Sequence, residues 1–166
     1  MASEYIKSEI QKELEWVYEE IMWLARRPRV TPSSARAWYT HIASERLKRK
    51  IRKFTGMVSD RAISDFNNEL RLEHYKRIQT KLTQLVKEHL EGNINDPEEF
   101  IKTVIECEKV HIVTLHENYA AMKSKGDYVR AGIQLIKWDD IELEIKRDLW
   151  DKMIRGKVSN ADLYKV

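Results

Sequence analysis

The nine residues LRLEHYKRI, Leu70 to Ile78, set a carboxylate beside an imidazole, Glu73 and His74. An imidazole titrates near neutral pH. A well-placed histidine can therefore take a proton from water or a hydroxyl, while a nearby carboxylate orients it or holds a cation. Leu70, His74 and Ile78 recur every four residues, which predicts a helix from Glu69 to Leu90 with His74 on its apolar stripe. Neighbours on a helix point about 100° apart, so Glu73 and His74 do not chelate one ion neatly there. Two readings follow. In one, His74 is a core histidine with a single hydrogen bond. In the other, it is a general base that activates water against a phosphodiester, with a divalent cation neutralising the developing charge.

Ligands for such a cation would come from other parts of the chain. His41 with Glu45, and Glu108 with His111, have ligand-like spacing. Glu-x-x-His is also the repeating unit of di-iron bundles, but those need two copies and the sequence holds one. No Walker loop, GxGxxG or Gly-x-Ser-x-Gly occurs. Cys107 is the single cysteine, which rules out a disulfide within the chain and CxxC-type metal sites; a core thiol is expected.

The strongest functional signal is RLKRKIRK, Arg46 to Lys53. Its cations Arg46, Lys48, Arg49, Lys50, Arg52 and Lys53 leave Leu47 and Ile51 four apart for burial. A helix carrying them would present a cationic ridge. DNA carries one charge per ~1.7 Å of axis, so such a ridge meets several phosphates at once, and arginine adds bidentate grip. The chain's +3 hides an asymmetry: eleven basic and two acidic residues between Arg26 and Arg61 give that segment +9, leaving −6 for the rest. DNA or RNA is the expected partner. An acidic protein is the alternative, and a solvated face answered by the chain's own carboxylates is the plain reading. Trp38 and Tyr39 lie two to three turns upstream, too far to interleave as stacking groups.

The elements that must position these residues are mostly helical. Ile6, Ile10, Leu14, Val17, Ile21 and Leu24 predict a helix from Ser3, a plausible N-cap, to about Ala25, broken by Pro28. Thr31-Pro32 starts a second helix running to about Phe54 and ended by Gly56. Ser59 caps a short piece reaching Phe66, and Asn68 caps the helix that carries His74. Asp96-Pro97-Glu98-Glu99 opens the next. VHIVTLH, Val110 to His116, reads as a strand. Thr114 and Glu117 form a capping box behind it. GIQLIKW, Gly132 to Trp138, is a second strand, and a last helix covers Asp140 to Arg155. The expected fold is mainly α: six to seven helices around one core, with at most a small two-stranded sheet near 110–116 and 132–138. One domain is expected over 1–166, with a weak seam near 92–97 and the basic helix at 32–54. Forty-two per cent apolar residues suffice for a core. No apolar run reaches membrane-spanning length and no secretory leader is visible, so a cytoplasmic protein is expected.

From Leu70 to Ile136, the succession LRLEHYKRIQTKL, NDPEEF, VHIVTLHENYAAM and YVRAGIQLI resembles a pattern in uncharacterised bacterial and phage proteins. Their Glu-His pair is similar to the one holding the central histidine of HNH-type metal nucleases. The resemblance implies a metal-dependent phosphodiesterase centre with His74 in the histidine's place and Glu73 beside it. The reading is thus a nucleic-acid-binding protein of a phage or bacterial accessory system, with a nuclease centre where that resemblance holds. The alternative is a helical interaction module whose basic helix contacts an acidic protein.

Overall fold

Helix starts fall where short polar side chains can accept the first free N–H groups. In the computed structural model, which describes residues 2–65 and 69–166 and side chains from residue 7 onward, Thr31 accepts from the Ser34 amide at 3.2 Å and Ser59 from the Ala62 amide at 3.1 Å. Thr114 and Glu117 close a capping box. The elements are α1 (Ala2–Ala25), α2 (Pro32–Ala37), a π-helical stretch (Trp38–Ala43), α3 (Ser44–Ile51), β1 (Lys53–Ser59), α4 (Asp60–Ser64) and β2 (Leu70–His74). These are followed by α5 (Ile78–Glu91), α6 (Pro97–Cys107), β3 (Lys109–Thr114), α7 (Leu115–Lys123), α8 (Tyr128–Ala131), β4 (Leu135–Lys137), α9 (Leu143–Leu149) and a second π-helical stretch (Trp150–Ile154). The expected end of the short piece at Phe66 and the cap at Asn68 lie outside the described residues, and the expected cap at Ser3 lies outside the described side chains.

The chain divides into two compact units. One comprises residues 1–51 and 78–107, the other 52–77 and 108–166. The first is all helical. Leu14, Tyr18, Ile21 and Met22 of α1 meet Ala35, Tyr39, Leu47 and Ile51 of the second helical run, Leu82 and Val86 of α5, and Phe100 and Val104 of α6. Polar atoms inside it are matched. Tyr18 Oη lies 2.6 Å from Nδ1 of the buried His89, whose Nε2 lies 2.9 Å from Glu99 Oε2.

The second unit holds the sheet, with strand order β2-β3-β1-β4. β3 runs parallel to β1 and antiparallel to β2, and β4 is antiparallel to β1. On one sheet face Phe54, Val58, Val110 and Ile112 pack with Trp138, Leu149 and Ile154. Val113, Ala121 and Ile133 form a smaller cluster. Between Phe54 and Val58 the register slips, so that four steps along β1 match two along β3. Gly56 sits in that bulge at φ +79°, where side chains are disfavoured.

The expected fold is corrected here. The described residues are 64% helical, but they carry more helices than six or seven and a four-stranded mixed sheet instead of two strands at most. β2 falls wholly, and β1 only at Lys53 and Phe54, within segments expected to be helix. The basic helix stops at Ile51 and strand pairing begins at Lys53, so Gly56 is a bulge residue and not a helix cap. Leu70–His74 is a strand, and the helix after it starts only at Ile78. The two expected strands exist in shorter form, as Lys109–Thr114 and Leu135–Lys137.

Candidate functional site

Because β2 is a strand, Glu73 and His74 project to opposite sheet faces. Glu73 stands opposite His111 and His74 opposite Val110. The two residues therefore serve different surroundings: His74 meets Glu108, just before β3, and Glu73 meets Tyr128 of α8.

On the His74 face, Nε2 lies 2.9 Å from Glu108 Oε2. Glu108 comes just before β3, two residues from Val110 and so on the same side. Arg52, just before β1, brings Nε to 3.7 Å of that same oxygen. The Glu108 side chain is 4% exposed, against 18% for Arg52 and 29% for His74. A buried carboxylate thus holds a partly exposed imidazole by one nitrogen, with a guanidinium on its other flank. That arrangement fixes the orientation of the ring.

On the opposite face, Glu73 is buried and accepts from Tyr128 Oη of α8. Burial raises its carboxyl above the ordinary range, against the opposing pull of that hydrogen bond. Burial, then the Glu73 bond, raises the Tyr128 phenol. His111 lies beside them at 7% exposure. Tyr75 stacks on its ring at 4.6 Å, Tyr128 meets it edge-on at 5.5 Å, and Thr55 Oγ1 lies 2.6 Å from Nδ1. Burial pushes this imidazole down to about 4. Beyond β2, Arg77 donates to the Met122 carbonyl at 2.7 Å, at the C-terminal end of α7 where a cation is favoured.

A divalent ion fits neither face. Glu108 and His111, the pair with ligand-like spacing, go to different partners: Glu108, in the turn before β3, meets His74, and His111 of β3 meets Thr55. His74 and Glu108 do meet, but Arg52 already supplies positive charge to the carboxylate that would bind a metal. Among the described residues no group of three or more His, Cys, Asp or Glu side chains converges.

The six expected phosphate-binding cations are also separated. Arg46 and Lys48 lie on α3, Arg46 at 3.0 Å from Glu13 and Lys48 at 2.7 Å from Glu45. Arg49 and Lys50, also on α3, are exposed, and no carboxylate among the described residues lies within pairing distance. Arg52 turns towards Glu108, and the exposed Lys53 belongs to β1 of the other unit. Cys107 is buried. No described helix is long and apolar enough to cross a membrane.

Sequence reasoning missed Glu108 and Arg52 as partners of His74, and Thr55, Tyr75 and Tyr128 as the surroundings of His111 and Glu73. The available signal was the alternation in LRLEH, Leu70 and Leu72 apolar against Arg71 and Glu73, which suits a strand as well as the four-residue spacing suits a helix. Set against known proteins, the chain matches no family model, no curated protein and no solved structure.

Proposed function

We propose that this protein binds nucleic acid through the outer side of α3. The supporting observation is the pair Arg49 and Lys50, exposed and unmatched among the described residues, flanked by Arg46 at 68% side-chain exposure. The Arg46–Glu13 pair is a surface contact, worth at most ~1 kcal/mol, so it exchanges readily for a phosphate. Two or three phosphate contacts predict a salt slope of about −1.8 to −2.7 on logarithmic axes, or roughly a 10- to 40-fold loss of affinity from 50 to 200 mM salt. Labelled DNA and RNA titrated across that range give the test. The double variant R49E/K50E should lose binding at every salt concentration while keeping its circular dichroism. Unchanged affinity in that variant, or no binding at 50 mM salt, sinks the proposal. An acidic protein partner for the same cations is the reading that would replace it.

The His74–Glu108 contact favours one addition, proton transfer at His74 during phosphodiester cleavage. The chain's residues supply the proton transfer: Glu108 orients the ring through Nε2, and His74 takes the proton of an attacking water or ribose 2′-hydroxyl as its oxygen bonds to phosphorus, the P–O bond to the leaving oxygen breaks, and that oxygen takes a proton from solvent. Plasmid and RNA cleavage, measured with added Mg²⁺ and again with chelator, should vanish in His74→Ala. Cleavage at the wild-type rate by that variant removes His74 from the chemistry.

A further inference from the structure

The chemistry beside α3 narrows the polymer further. Within the helical unit, α1 and α3 border a cleft of about 780 Å³ whose lining includes Glu9, Lys12, Glu13, Trp16, Arg46 and Lys50. That volume lies within the ~300–1,000 Å³ range of small-ligand clefts. Trp16 is 58% exposed. Among the described residues no ring or cation packs on its face. The next residue, Val17, turns into the core, so Trp16 stands on the outer side of α1. Its placement among Lys12, Arg46 and Lys50 puts a flat apolar ring next to three cations.

These are the two components that unpaired nucleic acid uses: a ring on which a base stacks, and cations beside it for the phosphates on either side. A duplex offers phosphates but keeps its base faces within the stack, so it gains nothing from the indole. From Trp16 and the cations around it, we infer that the α1–α3 cleft is a binding site for single-stranded nucleic acid, with a base on the Trp16 ring and adjoining phosphates on Lys50 and Lys12. Glu13 then plays a second part: by holding Arg46 at 3.0 Å it parks that guanidinium at the cleft edge until a phosphate replaces it. Glu9, a second carboxylate in the lining, opposes the polyanion and limits affinity. This inference rests on nucleic-acid binding at α3 and adds which form of the polymer is preferred.

The test is fluorescence anisotropy at 50 mM salt with a labelled 15-nucleotide oligo(dT) and a blunt duplex of equal length. Full-length wild type, W16A, W16F and W23A are compared. Trp23 is the control, an equally exposed indole on α1 at 63%, with Arg27 over its face at 5.2 Å and outside the cleft. The expected results are tighter binding of oligo(dT) than of duplex, a loss of about 5- to 100-fold for oligo(dT) in W16A, recovery of most of it in W16F, and no change in W23A. Indole quenching by oligo(dT) should shrink in W16F. Duplex bound as tightly as oligo(dT), or W16A binding oligo(dT) like wild type, overturns the single-strand site while leaving nucleic-acid binding standing. Failure of both probes removes the two together.

Discussion

The His111 imidazole makes a pH dependence that can be worked out in advance. It is 7% exposed, sandwiched by Tyr75 and met by Tyr128, with Thr55 as its hydrogen-bond partner and Glu73 opposite it in the sheet. Burial lowers it from the ordinary 6.5 to about 4 in the folded protein. As pH falls, the unfolded chain therefore takes up this proton first. The stabilising effect of a neutral His111 is complete above about pH 6.5 and is lost as pH drops from there to about 4. At ~1.4 kcal/mol for each pH unit, the full loss is about 3.5 kcal/mol, of which about 2.5 kcal/mol is gone at pH 4.5. Glu73 acts in the opposite sense. Its folded value is raised, so the folded protein takes up that proton first and gains stability as pH falls. Both proteins in the comparison retain Glu73, so its effect largely cancels. His111→Asn keeps an amide near Nδ1 for Thr55 and removes the titration. Urea unfolding of wild type and His111→Asn at pH 7.5 and 4.5 should show the variant less stable at the higher pH. Its loss on acidification should be smaller than the wild type's by about 2–3 kcal/mol. Equal acid-induced losses in the two proteins would refute the argument.

Two other substitutions probe the elements that frame the site. Gly56→Ala forces a side chain into φ +79° and puts a new methyl 3.2 Å from the Tyr164 ring; thermal unfolding should register a cost of about 1–3 kcal/mol, and an unchanged midpoint would argue against the bulge. Glu117→Ala strips the acceptor from the Ser59 hydroxyl at 2.6 Å, the Thr114 amide at 2.9 Å and the Thr114 hydroxyl at 3.1 Å. It should cost about 2–5 kcal/mol in urea titrations, with Glu117→Gln milder; a loss below about 1 kcal/mol would show that these buried donors find other partners.

Local chemistry made the helix starts readable. Thr31-Pro32, Ser59 and the Thr114–Glu117 box signal themselves through neighbours three residues away, and the structure puts a cap at each. The sheet was harder because its pairing is distant. Leu47, Ile51 and Phe54 continue a helical spacing across a point where the chain has already become strand, and Leu70, His74 and Ile78 do the same across the end of β2. In both places a period-two segment is only five to seven residues long and abuts a true helix, so the longer pattern absorbs it. What decides the matter is β3, whose Lys109 pairs with Lys53 and whose Val110 pairs with His74. The surroundings of His74 were hidden for the same reason. His74 could be singled out by its type, but its partner Glu108 adjoins it only once two strands lie side by side. The cations of α3 were visible as a run, whereas Glu13, which pairs with Arg46, and Trp16, which lines the same cleft, come from a helix some thirty residues earlier.

The strand order carries a consequence for how the chain is made. β1 and β2 do not touch each other; each waits for β3, which lies between them and ends at Thr114. At a synthesis rate of ~5–20 residues per second, β1 stays unpartnered for roughly 3–10 s after it is complete. During that interval two nascent strands present open edges, the condition in which chains stick to one another. A ribosome that stalls or terminates before Lys109 releases a polypeptide able to build its helical unit but with no central strand to join the others.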